Sequence, residues 1–382
     1  MSQKQTKILI VNKGFDPDIG GIETIVKQYS ELLITKGYEV TILCTNTQIF
    51  KATAVNYSHE RKLKIIRSSS FAKINSMYIS ISFFYHLLKE SRSASVIHAH
   101  YPFPLFDIGS IFLPKKSKIL LSWHSDIVRQ KFLQIFVKPF TSSLLKKSTV
   151  LYSSKRLLKS SYSNLLKKGS FKILPYSVPK TLSAPSNIKL KDFLGRDLPG
   201  NYFLYLGRLS YYKGINHILD SINQFNFLNK INFIIAGNGE LQSEIKNSLI
   251  KLNKPNIFFI PNYLNEAEKS FLLSNCKALL FPSSFSSEAF GIIQLEAMSY
   301  AKPVINFNLP TSVPWVSKDM ISGITVKNGD ILKFSESIYL LENDSRLYNK
   351  LSNGAIKRVK KLFLEEDIFK KYLNIIEELI LS

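Results

Sequence analysis

Acidic residues are scarce in this chain. Against 51 Lys and Arg its 382 residues include only 28 Asp and Glu, and between Asp126 and Asp192 there is no acidic residue beside 14 basic ones. The deficit is one-sided: residues 1–190 carry 29 basic and 9 acidic side chains, a net +20, and residues 191–382 carry 22 and 19, a net +3. A positive field over one half points to an anionic partner there, either nucleic acid or an anionic membrane leaflet. Cysteine is nearly absent. Cys44 and Cys276 fall in apolar runs and make neither a metal-type spacing nor a disulfide framework. They read as buried, reduced thiols of a cytosolic protein. Long apolar runs are also missing. No stretch reaches the roughly 18 residues that a spanning helix needs, and Ile8–Val11, after a polar start, is too short for a signal-peptide core. The expectation is a protein made and kept in the cytosol.

What is present is apolar residue in quantity, 45% of the chain, over a length suited to two domains. In the first half, short apolar runs read as strands at Lys7–Val11, Glu39–Cys44, Lys64–Arg67, Ser95–His100, Lys118–Trp123, Val150–Ser153 and Phe171–Leu174. Helix-period stretches fall between them at Ile22–Thr35, Tyr78–Glu90 and Val128–Lys146, the last containing Pro139, which predicts a kink or two shorter helices. Pro175, Pro179, Pro185 and Pro199 then break the pattern and mark a linker ending at Gly200. Strands resume at Phe203–Leu206, Asn232–Ala236, Ile257–Ile260, Ala278–Phe281, Pro303–Asn306 and Ile324–Val326, and helices close the chain from Ile331 onward. Such alternation predicts the α/β class, with two tandem, Rossmann-like doubly wound domains facing each other across a cleft. Ligands of such sheets bind at the carboxyl ends of the strands.

Two segments have the chemistry of an anion and sugar site. Gly207-Arg208-Leu209-Ser210-Tyr211-Tyr212-Lys213-Gly214 links a strand to a helix. Its glycines let backbone approach an anion at a helix N-terminus, and Arg208 and Lys213 add two cations suited to a departing diphosphate. Taken alone it reads equally well as a solvated basic loop. The second, Ser287-Glu288-Ala289-Phe290-Gly291-Ile292 through Glu296, sets two carboxylates eight positions apart around a helix start. Ionised carboxylates accept strongly from sugar hydroxyls, although helix capping by Glu288 and a surface Glu296 explain the isolated spacing as well.

Together and in this order, these segments resemble the family 4 glycosyltransferases of the GT-B fold, and the resemblance covers nearly the whole chain. The opening Ile8-Leu9-Ile10-Val11, then Gly20-Gly21-Ile22-Glu23, then Lys36-Gly37-Tyr38-Glu39-Val40-Thr41 is similar to the family's. The resemblance implies that Arg208 and Lys213 bind the donor diphosphate together with Gly20, Gly21, Gly291 and Ile292. It implies that Glu288 meets the donor sugar and that Glu296 holds the ribose. Val96-Ile97-His98-Ala99-His100 followed by Trp123-His124-Ser125-Asp126 looks like the bacterial enzymes of O-antigen or capsule synthesis, many of which use GDP-mannose or a similar GDP-sugar. There His124 matches a histidine that touches the donor sugar. Ser312 stands where the family commonly has glycine, and Phe363 or Phe369 where it has tryptophan.

The expected activity is a retaining hexosyl transfer from a nucleotide sugar to a lipid-linked glycan acceptor, with front-face and covalent routes both open. Asp16-Pro17-Asp18 has the spelling of a metal-binding motif but lies in the first loop. No metal or other cofactor is expected, since Arg208 and Lys213 supply the charge a divalent ion would bring. The expected domains are an acceptor- and membrane-side domain at 1–180, a linker at 181–200, a nucleotide-sugar domain at 201–362, and a last helix at 363–382 packing back on the first domain. The +20 half, and the basic apolar stretch Val128–Lys147, predict peripheral binding to the cytoplasmic leaflet. A sugar-nucleotide 2-epimerase on the same fold and a basic nucleic-acid-binding protein are the alternatives; no recognised nucleic-acid module supports the latter.

Overall fold

The computed structural model describes residues 6–18, 20–74, 77–125, 131–159, 170–178 and 200–382. The chain divides into two units, one of Met1–Tyr176 with Asp367–Ser382 and one of Ser177–Glu366. Most of the expected linker, Asp126, and the start of the basic stretch at Val128 lie outside the described residues.

In the first unit the strands are β1 (Lys7–Val11), β2 (Glu39–Ile49), β3 (Ala54–Ser58), β4 (Leu63–Ser70), β5 (Ala72–Ile74), β6 (Met77–Ile79), β7 (Val96–Tyr101), β8 (Ile119–Trp123), β9 (Ser148–Tyr152) and β10 (Ser170–Ile173). Eight of them form one sheet in the order β10-β9-β8-β7-β1-β2-β4-β3. All its pairings are parallel except the edge pair of β3 with β4. Strands of such sheets are covered on both faces, which is why Ile8, Leu9, Ile10 and Val11 form one uninterrupted buried run. The strand order turns between β1 and β7, so their carboxyl ends open the crevice in which doubly wound sheets bind ligands.

The second unit contains β11 (Phe203–Leu206), β12 (Phe233–Ala236), β13 (Ile257–Ile260), β14 (Ala278–Phe281), β15 (Val304–Asn308) and β16 (Gly323–Lys327). Its six parallel strands run β13-β12-β11-β14-β15-β16, and the order turns between β11 and β14. Phe203, Phe233, Phe307 and Phe334 are fully buried in its core, each contributing on the order of 2–3 kcal/mol by leaving water.

Four local expectations change. Tyr78 lies in β6 rather than in a helix; the helix begins at Ile81, where the Ser80 hydroxyl accepts from Phe83 N–H and caps it. Edge strand β3 and the β5–β6 hairpin appear where no strand is expected, and Asn56, Tyr57 and Ser58 leave β3 largely exposed. Pro139 sits inside one helix, Lys131–Lys146, instead of dividing it. The packing of Val137, Leu144 and Leu145 into the core holds that helix together. Leu144 and Leu145, within the stretch Val128–Lys147 expected at the membrane surface, therefore face inward; among the apolar side chains described there, only Phe136 is strongly exposed.

Candidate active site

Two loops meet at the turn in strand order of the second sheet. The first leaves β11, makes one 3₁₀ turn through Tyr211–Lys213, and enters the helix Ile215–Gln224 at Gly214. Gly214 has φ +68°, and a Cβ there would lie 2.0 Å from the Pro282 carbonyl oxygen of the other loop. The second loop leaves β14 and ends at Gly291, with φ +77°, which caps the helix Ile292–Ser299. A Cβ on Gly291 would lie 2.4 Å from Phe281 Cζ. The glycines thus let the two loops close on each other, and Ile292 supplies the first helix N–H, a donor without a partner within its helix.

Where the loops meet, Lys213 Nζ and Glu288 Oε2 form an ion pair at 2.5 Å, with side-chain exposures of 16% and 10%. Ser283 Oγ donates to the same carboxylate oxygen at 3.4 Å, and the ammonium lies 5.5 Å from the Phe281 ring centre. Burial works most strongly against the charge of Lys213, but Glu288 and Tyr212 together outweigh it and the lysine pKa is raised; the nearby charge of Arg208 opposes that rise. Arg208 itself is exposed, and its carbonyl accepts from Tyr205 Oη. Glu296 lies in the next helix turn, against Lys269 Nζ at 3.0 Å, which also reaches Glu266 at 2.7 Å. Burial raises the Glu296 pKa, with Lys269 acting against it.

The residues expected in the first unit gather at the carboxyl edge of its sheet. Gly20 caps the helix Gly21–Thr35, its carbonyl accepting from Thr24 N–H and Oγ1, and the Glu23 carboxylate folds over it. Lys13, just beyond β1, is held below its ordinary pKa by burial, with Glu23 and Asp107 acting against the shift. His124 follows β8 with 5% exposure, and both of its ring nitrogens are occupied: Nε2 meets His100 Nδ1 at 2.8 Å and Nδ1 meets the Tyr176 hydroxyl. His98 bridges Tyr372 Oη at 2.9 Å and Ser122 Oγ at 2.8 Å. Burial holds His98 and His124 neutral, with pKa values lowered to about 3, and depresses His100 well below its ordinary range. Asp16 pairs with Lys27 at 2.8 Å and Asp18 accepts from Phe15 N–H, so the Asp-x-Asp spelling belongs to a closed loop. Among the described residues, no three His, Cys, Asp or Glu side chains converge as a metal site. Cys44 and Cys276 are free and buried, and burial pushes both thiols up to about 12.

The family described as "Glycosyltransferase Family 4" matches residues 19–158, and "Glycosyl transferases group 1" matches residues 187–358. The chain belongs to the family 4 glycosyltransferases. This glycosyltransferase is 26% identical over 381 residues to the "O-antigen chain mannosyltransferase C" of Escherichia coli, covering 98% of this chain and 99% of that one. It is 24% identical over 347 residues to the D-rhamnosyltransferase WbpZ of Pseudomonas aeruginosa, covering 90% and 88%. Its fold matches that of HepE from Anabaena, solved with UDP and glucose, with a TM-score of 0.74 at 16% identity over 98% and 100% of the two chains. The two parallel-sheet units are those of a GT-B fold.

The glycosyltransferase also has buried polar groups behind the Phe290–Gly291 turn that are not among the residues expected above. Gln294, fully buried, donates to the Phe290 carbonyl at 2.8 Å and accepts from Asn306 Nδ2 at 2.9 Å, and Asn306 accepts from Thr325 Oγ1 at 2.8 Å. This chain ties the Phe290–Gly291 turn to β15 and β16. A polar residue near the end of an apolar strand was the available signal for Asn306. Lys269 has no such signal, being known as a partner only when its helix is brought beside that of Glu296.

Proposed function

We propose that the enzyme is a retaining hexosyltransferase that moves a sugar from a nucleotide sugar, GDP-mannose or a similar GDP-sugar, to a lipid-linked glycan acceptor in bacterial surface-polysaccharide synthesis. The observation that carries the reading is the buried Lys213–Glu288 pair beside Arg208 and the Gly291 helix start. A diphosphate arriving there finds two cations and backbone donors, which stabilise the charge that develops as the glycosidic bond breaks. Lys213 then exchanges Glu288 for phosphate oxygens, and the released carboxylate takes a sugar hydroxyl. Glu296 accepts from the ribose hydroxyls, His124 meets the sugar, and Gly20 and Gly21 offer backbone to the diphosphate. No metal is required, because Lys213 and Arg208 do the electrostatic work. The O-antigen mannosyltransferase and rhamnosyltransferase relatives support a hexose and a surface polysaccharide, and the UDP and glucose in the HepE structure support a nucleotide sugar. The enzyme works at the cytoplasmic leaflet, held there by the +20 half of the chain. No described helix is long and apolar enough to cross a membrane.

The test is kinetic, with product sugar measured in the lipid fraction in excess chelator. Glu288→Gln is expected to lower kcat, and Glu296→Gln mainly to raise donor KM about tenfold, because binding shared by ground and transition states appears in KM. Activity that chelator abolishes and Mg²⁺ restores contradicts the metal-free reading, and reversed kinetic effects exchange the two carboxylate roles.

A further inference from the structure

A row of rings crosses the interior of the first unit. His98 and His100 alternate along β7, so they share one face of the sheet, and their ring centres are 4.6 Å apart. His100 stacks on His124 at 5.0 Å, and His124 stacks on Tyr176 at 5.7 Å. Tyr372 closes the other end on His98, 5.4 Å away. The three imidazoles are buried, and only Tyr176, the residue at which the chain leaves this unit, is partly exposed.

The hydrogen bonds fix where the protons sit. His100 Nε2 is buried with no hydrogen-bond partner among the described residues. A proton there would strand a donor, so the His100 proton belongs on Nδ1, where it is donated to His124 Nε2. The single proton of neutral His124 is then on Nδ1 and is donated to the Tyr176 hydroxyl oxygen. A sugar hydroxyl can therefore reach a ring nitrogen of His124 only by displacing one of these partners. His100 is 2% exposed in the sheet interior, whereas Tyr176 is partly exposed, so Tyr176 is the partner that a ligand would meet first.

We propose that the Tyr176 hydroxyl is a place-holder for a hydroxyl of the donor sugar on His124 Nδ1, displaced when the donor binds. In the empty enzyme it satisfies a buried N–H that otherwise lacks an acceptor. In the complex the sugar oxygen takes that N–H, and part of the donor's binding energy is used in releasing the tyrosine. Tyr176 thus sets donor affinity without touching the leaving diphosphate. The inference rests on the reading of His124 as a contact of the donor sugar.

The experiment is calorimetric titration of the full chain with two probes. One is the nucleotide sugar that stabilises it most in a panel of GDP-, UDP-, ADP- and dTDP-sugars; the other is the matching nucleoside diphosphate. Tyr176→Phe keeps the stacked ring and removes the hydroxyl. It is expected to bind the nucleotide sugar several-fold to about tenfold more tightly, with the nucleoside diphosphate unchanged. In a His124→Ala background the gain is expected to vanish. Unchanged or weaker nucleotide-sugar binding by Tyr176→Phe overturns the place-holder, as does an equal gain for the diphosphate alone. A His124→Ala protein that binds the nucleotide sugar like wild type overturns instead the reading of His124 itself.

Discussion

The two units place different electrostatics at equivalent positions. At the turn of the second sheet the ionisable groups are charged and paired, Lys213 with Glu288 and Lys269 with Glu296. In the ring row at the first sheet they are neutral and chained, with three imidazoles depressed by burial and Tyr176 and Tyr372 raised well above the ordinary phenol range. Yet the first half carries the net +20. Net charge over half of a chain and the pairing of buried charges are thus separate properties. Surface charge draws a partner to the molecule, whereas paired buried charges can be exchanged for those of a ligand. A neutral hydrogen-bonded chain orients a ligand and leaves its charge unopposed.

The largest effect expected from breaking this contrast is at Lys213. Lys213→Ala leaves Glu288 without its cation and, on the proposed reading, takes one of two cations from the leaving diphosphate. Turnover at saturating donor is expected to fall about 10²–10³-fold while the fold survives, with Arg208→Ala losing turnover as well. Wild-type turnover in either variant removes the diphosphate assignment.

A smaller effect separates the units by pH. An unfolded imidazole takes its proton near pH 6.5, whereas folded His98 and His124 do so only near about 3. Below about pH 6.5 the unfolded state therefore binds more protons, and stability falls with pH by up to about 1.4 kcal/mol per unit for each histidine. Asp107 works in the opposite sense. Burial raises it to about 7, so the folded state holds its proton first, and it offsets roughly one histidine of the row. In the second unit, raised Glu296 also favours the folded state as pH falls. Hydrogen exchange, corrected for its intrinsic pH dependence, is expected to quicken in β7 and β8 between pH 7.5 and 5.5 while β11 and β14 change less. Equal changes in both sheets contradict the neutral-row description.

Much of this architecture was readable beforehand for a physical reason. Strands buried on both faces appear as unbroken apolar runs, as in Phe203–Leu206 and Ala278–Phe281, whose bounds the structure reproduces. The loops were readable because Gly214 and Gly291 occupy backbone that a side chain would obstruct. What escaped lacks such signatures. β3 is an exposed edge strand with polar residues on it, and Tyr78 continues an apolar helical pattern until Ser80 caps the helix beyond it. At the site, the residue types were visible but their pairings were not. Nothing local to Glu296 names Lys269, 27 positions away, and nothing in Pro175-Tyr176 shows that the tyrosine closes on His124. The inward turn of Leu144 and Leu145 escaped for the same reason, since helical period does not say which surface a stripe meets.

The central claim is that the charged pair in the second unit is where a nucleotide sugar is held. Its most direct measurement is the melting temperature of wild-type and Lys213→Ala protein against GDP-, UDP-, ADP- and dTDP-sugars, since a ligand bound only by the folded state stabilises it by mass action. The expected result is a clear rise for wild type with one class of nucleotide sugar, GDP-sugars foremost, and most of that rise lost in Lys213→Ala. No rise with any sugar nucleotide, or a rise that Lys213→Ala keeps in full, would contradict the account.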